Sequence, residues 1–318
     1  MKHILQRMMG KRVLVIGDVM LDKYIWGNVS RISPEAPVQI VDVHRESYTV
    51  GGAANTAANI NSLDGEGLLV GVVGDDTTWN HLQGEMNKRM MSTKGIVVDS
   101  SRRTTRKVRV MGGKQQLIRF DYETREDISD HIQQRIIETI YDVIEDIEVV
   151  LISDYAKGVI TQPLYDAVIQ LAQQKHLKVI VDPKPSNKVN YSGAFLITPN
   201  LKEACELAGW SDCPDTKIKE LGKKLQTDFR CSLLITRGEK GMMLFEGDSV
   251  IDVETKAKEV YDVSGAGDTV VATVGLSLAA GSSLRDAALL ANHAAGIVVG
   301  KLGTSSVTRE ELEMSLDD

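Results

Sequence analysis

Short runs of β-branched and other apolar residues recur along the chain, each followed by a longer stretch in which apolar positions return every three or four residues. A run that is apolar at every position can be buried on both sides, and an amphipathic helix can cover one of them. The alternation therefore predicts an α/β fold with a parallel sheet and helices on both faces. Strands are predicted at 12–17, 68–73, 149–153, 178–182, 194–198 and 231–236. Helices are predicted at 53–62, 77–90, 129–145, 163–175, 201–207 and 218–227, with two long apolar helices near the C-terminus, the first running through 270–280. Residues 23–44 and 102–122 break the alternation: they are rich in β-branched and aromatic residues, carry Gly or Pro at turns and lack a helical period. They predict strands of a second, smaller sheet, or an edge extension of the main one.

Composition narrows this picture. A chain of 318 residues with 42% apolar content can bury a large core, and the lack of low-complexity linkers favours one principal domain, 11–318, into which the two strand regions are inserted. A net charge of −7 argues against a general polyanion-binding surface, so no nucleic-acid partner is expected. Cys205, Cys213 and Cys231 show neither Cys-x-x-Cys spacing nor a His partner at zinc-finger distance, and read as ordinary thiols of a reducing compartment. Residues 1–9 are too short and interrupted for a signal peptide, and no run approaches the roughly 18 apolar residues of a membrane span. A cytoplasmic protein without a membrane partner is the expectation.

The candidate chemistry centres on 261–269, Tyr-Asp-Val-Ser-Gly-Ala-Gly-Asp-Thr, at the mouth of the first long apolar helix. Gly265 and Gly267, flanking Ala266, lack the Cβ atoms that would hold a ligand off the backbone, so the amides of 265–268 can converge on an anion at the positive end of the helix. Asp268, in the first turn, can take a proton from a hydroxyl attacking a phosphoryl group held there. The same residues also fit a plain glycine turn followed by an acidic residue that the helix dipole favours. Asn200 with Glu203 reads equally as a helix cap, and 236–241 as a hairpin turn between apolar strands. Asp18 and Asp22, after the first strand, could accept sugar hydroxyls or sit in a solvated turn. Lys157 and Lys184 follow strand ends, and Arg106, Lys107 and Arg109 add charge to the second strand region; all could be surface charges, or could meet an anionic substrate. Arg119 and Asp121 are spaced for an ion pair across strands. Neither Gly-x-Gly-x-x-Gly after the first strand nor Gly-x-x-x-x-Gly-Lys-[Ser/Thr] is present, which disfavours a Rossmann dehydrogenase and a Walker NTPase.

Asp262-x-x-Gly265-Ala266-Gly267-Asp268-Thr269 resembles the C-terminal signature of the ribokinase-like sugar kinases, and Gly51-Gly52-Ala53-Ala54-Asn55-Thr56-Ala57-Ala58-Asn59 resembles their N-terminal element. The resemblance implies a three-layer α/β/α sandwich with a small β-sheet lid formed by 23–44 and 102–122, and a homodimer paired through that lid. It implies ATP as phosphoryl donor with Mg²⁺, and Asp268 as catalytic base beside the amides of Gly265, Ala266 and Gly267. Gly51, Gly52 and Asn55 would then bind sugar with Asp18, Asp22, Arg119, Lys157 and Lys184. Asn200, Leu201, Lys202, Glu203, Thr236, Gly238, Gly241 and Asn292 would form the nucleotide side, with Glu203 reaching the metal through water. Residues 17–22, 30–38 and 153–158 narrow the resemblance to the heptose 7-phosphate kinases of this family, which phosphorylate C1 of a heptose phosphate on the way to the lipopolysaccharide inner core. Those kinases are fused in many bacteria to a nucleotidyltransferase domain, so a stand-alone kinase or one half of a fusion is expected. Another sugar kinase, or a sugar sensor on the same fold, is the alternative that the intact Asp268 opposes.

Overall fold

A computed structural model of the chain describes residues 1–113, 115–256, 260–301, 303 and 305–317; Lys114, inside the second predicted lid segment, lies outside them. The strands are β1 (Arg12–Gly17), β2 (Val19–Ile32), β3 (Gln39–Gly52), β4 (Glu66–Val73), β5 (Ile96–Val98), β6 (Thr105–Gly112), β7 (Gln115–Tyr122), β8 (Val149–Ser153), β9 (Lys178–Asp182), β10 (Leu196–Ile197), β11 (Ser232–Thr236), β12 (Met242–Glu246) and β13 (Ser249–Val253). The helices are α1 (Lys2–Met8), α2 (Ala53–Ser62), α3 (Thr77–Lys88), α4 (Asp130–Val143), α5 (Gln162–Gln174), α6 (Leu201–Ala208), α7 (Ile218–Phe229), α8 (Ala266–Ala279), α9 (Leu284–Val298) and α10 (Arg309–Ser315).

Nine strands form the main sheet in the order β13-β12-β11-β10-β9-β8-β1-β4-β5. In β1, an interior strand between β8 and β4, Val13 and Val15 enter an apolar cluster shared with α1, α2, α8 and α9, whereas Leu14 and Ile16 enter a second cluster shared with α4, α5 and α7. Each fully buried side chain of this kind contributes on the order of 2 kcal/mol. A one-residue slip would exchange the two sets, so burial fixes register as well as position. The helix α8 is buried on all sides, and its polar residues are satisfied locally: Thr273 and Ser277 donate to the carbonyls four residues back, each at 2.7 Å.

The sheet departs from the predicted all-parallel form at one edge, where β12 runs antiparallel to β11 and β13 antiparallel to β12. The hairpin turn foreseen at 236–241 connects β11 to β12, and Gly241 has a φ of 76° there. The predicted 194–198 strand pairs in register at Leu196 and Ile197, and the N–H groups of Phe195 and Thr198 donate to Val179 and Val181 of β9 at 2.8 and 2.9 Å. The helix α1 was not predicted, since seven residues show too little period to read, yet Ile4, Leu5 and Met8 are buried.

The second sheet is separate from the first and ordered β3-β2-β6-β7. Its strands reach beyond the predicted 23–44: β2 begins at Val19, next to the end of β1, and β3 ends at Gly52, where α2 begins. Ile32, Val38, Val43, Ile118 and Phe120 leave apolar surface exposed on it. The parallel strands of the main sheet have their carboxyl ends on one side, at the root of this second sheet. That is where open α/β sheets bind ligands.

Candidate active site

Asp268 occupies the first turn of α8 and is almost wholly buried. Three neutral donors hold its carboxylate: Asn55 Nδ2 at 2.7 Å on Oδ2, and Thr56 Oγ1 at 3.1 Å with the Tyr155 hydroxyl at 2.7 Å on Oδ1. Burial raises its pKa to about 6, the three donors hold it back from rising further, and nearby Asp22 adds to the rise. The arrangement leaves a carboxylate that is ionised at neutral pH and basic enough to accept a proton. Asn55 and Thr56 come from the first turn of α2, whose N-cap Gly52 has φ 56° and ψ −137°, a conformation open to glycine.

The turn before α8 is tied down by Asp262, which accepts from the backbone N–H of Ser264 at 2.9 Å and of Gly303 at 3.1 Å. Gly265 caps the helix with φ 82°. The cradle is narrower than the four amides expected from the sequence, because Ala266 N–H donates to the Val263 carbonyl at 3.2 Å. A Cβ added at Gly267 would meet no atom within 4 Å, and the residue faces open cavity.

Two cavities meet at Gly267, Val270 and Thr236. One, of about 170 Å³, is polar and is lined by Asp154, Tyr155, Asp182, Lys184, Asn200 and Glu203 among others. The second, of about 550 Å³, is mainly apolar; Gly238, Gly241 and Asn292 line it with Val260, Val263, Ala295 and Val299. Asn200, Glu203, Thr236, Gly238, Gly241 and Asn292, read from sequence as one side of the site, are thus brought together. Leu201 and Lys202 are not: Leu201 packs against the core, and Lys202 points to solvent with Nζ 3.9 Å from Glu206. Both readings of Asn200 and Glu203 hold, since the two form a reciprocal capping box while lining the polar cavity. The remaining Glu203 oxygen pairs with Lys184 at 2.9 Å. Lys184, expected on the sugar side, therefore lies with Asn200 and Glu203 instead. Burial raises the pKa of Asp182 well above the ordinary carboxylate range, with Glu203 and Asp268 adding to it. Among the described residues no group of three or more side chains is arranged to ligate a metal directly. A hydrated cation fits the excess of carboxylate in this cavity.

On the other side, the root and inner face of the second sheet carry Asp22, whose Oδ1 accepts from Arg109 Nη1 at 2.7 Å. Gly51 lies against it, for an added Cβ would stand 3.0 Å from Asp22 Oδ2. Strand register sets Lys107 opposite Asp121 and Arg109 opposite Arg119, so these side chains share one face. Arg119 grips Asp121 within its own strand at 2.8 and 3.0 Å, and the pair across strands is Lys107 with Asp121 at 3.4 Å, which corrects the reading of Arg119 as the cross-strand partner. Lys157 joins this face through Glu123 at 2.8 Å. Burial, with Lys157 and Arg119 nearby, lowers the pKa of Lys107.

Asp18 stands apart from this group. It is buried, and its carboxylate accepts the backbone N–H groups of Tyr155 at 2.8 Å, Lys157 at 3.1 Å and Val159 at 3.3 Å. That set of bonds replaces its reading as a sugar ligand. Thr56, Tyr155 and Asp182 are the residues that sequence reasoning left out of the site, whereas Lys107 was read only as one of several charges that could meet an anionic substrate. Thr56 and Tyr155 lie inside the two glycine-bearing stretches already singled out, whereas Asp182 offered only its place at a strand end.

The architecture, a doubly covered α/β sheet with a small second sheet over its carboxyl edge, is ribokinase-like. Ribokinase from Thermotoga maritima matches with a TM-score of 0.74 at 20% identity, over 97% of this chain and 100% of that one. Phosphofructokinase-2 from Escherichia coli matches with a TM-score of 0.79 at 17% identity, over 97% and 99%. The model of the pfkB family carbohydrate kinases matches residues 11–311, and the chain belongs to that family. It is also similar to the bifunctional protein HldE of Geobacter sulfurreducens, 45% identical over 305 residues, and of Desulfatibacillum aliphaticivorans, 43% identical over 309. Those alignments take in 95% and 96% of this chain but 62% and 63% of the relatives, so the chain spans about three-fifths of their length.

Proposed function

We propose that this carbohydrate kinase transfers the γ-phosphoryl group of MgATP to the C1 hydroxyl of D-glycero-D-manno-heptose 7-phosphate, giving the 1,7-bisphosphate used in ADP-heptose and lipopolysaccharide inner-core synthesis. The observation that carries the reading is the buried Asp268 carboxylate, set between a polar cavity and a basic sheet face. The similarity to HldE supports the heptose in particular. Adenine takes the apolar cavity beside Asn292, and the phosphates run past Thr236, Gly238 and Gly241 to Gly267. Lys184 and Asn200 meet the phosphates from the polar cavity, and Glu203, with Asp182 beside it, holds the nucleotide's Mg²⁺ through water. The sugar lies over Asp22, Gly51, Gly52 and Asn55, and its 7-phosphate meets Lys107, Arg119 and Lys157, where charge-assisted hydrogen bonds favour an anion. Asp268 takes the proton of the attacking hydroxyl as the hydroxyl oxygen bonds to phosphorus and ADP leaves; the amides of Gly265 and Gly267 face the charge on the migrating group.

Residues 11–318 act on this reading as one kinase domain of a cytoplasmic homodimer paired through the second sheet, whose exposed Ile32, Val43, Ile118 and Phe120 would be covered. Release of ADP measured with heptose 7-phosphate, unphosphorylated heptose and hexose or pentose phosphates tests the substrate. Preference for the heptose 7-phosphate by tenfold or more in kcat/KM is expected. Equal use of the unphosphorylated heptose would remove the phosphosugar assignment.

A further inference from the structure

Four donor–acceptor relations connect the first strand to the reacting carboxylate. Asp18, directly after β1, takes up the amides of Tyr155, Lys157 and Val159, which lie in the turn after β8. Its entry is close-packed, since a Cβ on Gly17 would stand 2.0 Å from the Ser153 carbonyl oxygen. Ala156, inside the turn, has φ 54°, and its N–H donates to Asp154 Oδ1 at 2.7 Å. A non-glycine residue keeps such a conformation only where its surroundings impose it. The turn so fixed aims the Tyr155 hydroxyl at Asp268 Oδ1, 2.7 Å away.

Counting lone pairs shows what this accomplishes. A carboxylate offers about four acceptor positions, two on each oxygen. Thr56 and Tyr155 take both on Oδ1, and Asn55 takes one on Oδ2. We infer that Tyr155 is a positioning residue for the phosphoryl transfer: held by Asp18 through the turn, it saturates Oδ1 and leaves the free lone pair of Oδ2 as the point that accepts the sugar proton. Asp18 thereby serves the reaction without touching substrate. The inference rests on Asp268 being the base, and it moves the O–H proton of the acceptor to Oδ2 as that oxygen forms its bond to the γ-phosphorus and the bond to the ADP oxygen breaks.

The groups that face Asp268 besides Tyr155 are Asp22, whose charge Arg109 pairs, Asp182 at the end of β9, and the neutral Asn55 and Thr56. Removing one donor from a carboxylate in this setting favours its protonated form.

The test compares pH–rate profiles of the full chain with saturating MgATP and heptose 7-phosphate for wild type, Tyr155→Phe, Asp18→Asn and Asp268→Asn. For Tyr155→Phe the acid limb of kcat is expected to move up by about one pH unit, which alone lowers kcat at pH 7 about twofold; loss of the saturating bond on Oδ1 should bring the whole fall to about tenfold, with both KM values changing less than threefold. Part of the lost rate should return at pH 8.5. For Asp18→Asn a fall in kcat at unchanged KM for the sugar supports the indirect role, and a rise confined to sugar KM overturns it. An unmoved acid limb in Tyr155→Phe, with Asp268→Asn inactive, defeats the positioning role while leaving the base in place; activity retained in Asp268→Asn defeats the base itself. Tyr155→Phe keeps the ring and loses one oxygen, so the comparison stands even if Asp18→Asn does not fold.

Discussion

At the scale of single residues, the site is a set of small side chains whose absent atoms matter as much as those present. Asp268→Asn is expected to lower kcat by about 10²- to 10⁴-fold, with the Kd for ATP within a few-fold of wild type, as measured by turnover and by calorimetric titration. In wild type, kcat should fall as pH drops through about 6, because the base acts only when ionised and burial has lifted its pKa to there. Gly267→Ala separates function from stability. The new methyl meets nothing in the protein, and alanine in a helix is more favourable than glycine by up to about 1 kcal/mol, so thermal melting should show an equal or higher midpoint. The same methyl enters the space assigned to the phosphoryl group, and kcat/KM for ATP should drop at least tenfold. Gly265, Gly267 and Asp268 were legible in the sequence because backbone freedom and helix polarity are local properties. Tyr155 and Asp18 were not, because their roles come from hydrogen bonds spanning 113 and 137 positions.

Among elements, the strand ends decide which lysine does what. Lys157 and Lys184 looked equivalent in sequence, each following a short apolar run, but β8 and β9 deliver them to different neighbours: Glu123 beside the second sheet, and Glu203 at the start of α6. Lys184→Ala is therefore expected to raise KM for ATP, and Lys157→Ala or Arg119→Ala to raise KM for the sugar phosphate, each by about ten- to a hundredfold. Steady-state kinetics with one substrate varied at a time would show the split; the reverse pattern would exchange the two assignments. Strands such as β1, β8 and β9 could be read to the residue, since burial on both sheet faces prints an unbroken apolar run. The hairpin turn at 236–241 implied an antiparallel strand after it, which is β12, but gave it no bounds, and β13, with Ser249 and Asp252 exposed, was not foreseen.

For the molecule as a whole, acid groups gathered at one end of the sheet set a pH dependence. Burial, and then the neighbouring Asp18, lift Asp154 to about 7, and burial lifts Asp268 to about 6. In the unfolded chain both would ionise near 4. The folded form holds the extra protons between those values, so this contribution to stability declines as pH rises from about 4 to 7. The ligand-free thermal midpoint is expected to be lower at pH 8 than at pH 6, and MgATP to narrow the gap by adding positive charge beside Asp182 and Glu203. The homodimer proposed through the second sheet predicts a sedimentation coefficient of a dimer at micromolar concentration, and Phe120→Glu should shift it toward monomer. The two sheets are also joined at the base. The strand β3 ends at Gly52, and the next turn of chain carries Asn55 and Thr56, both bonded to Asp268. Covering the sugar and holding the group that takes its proton are thus tasks of one continuous stretch of chain.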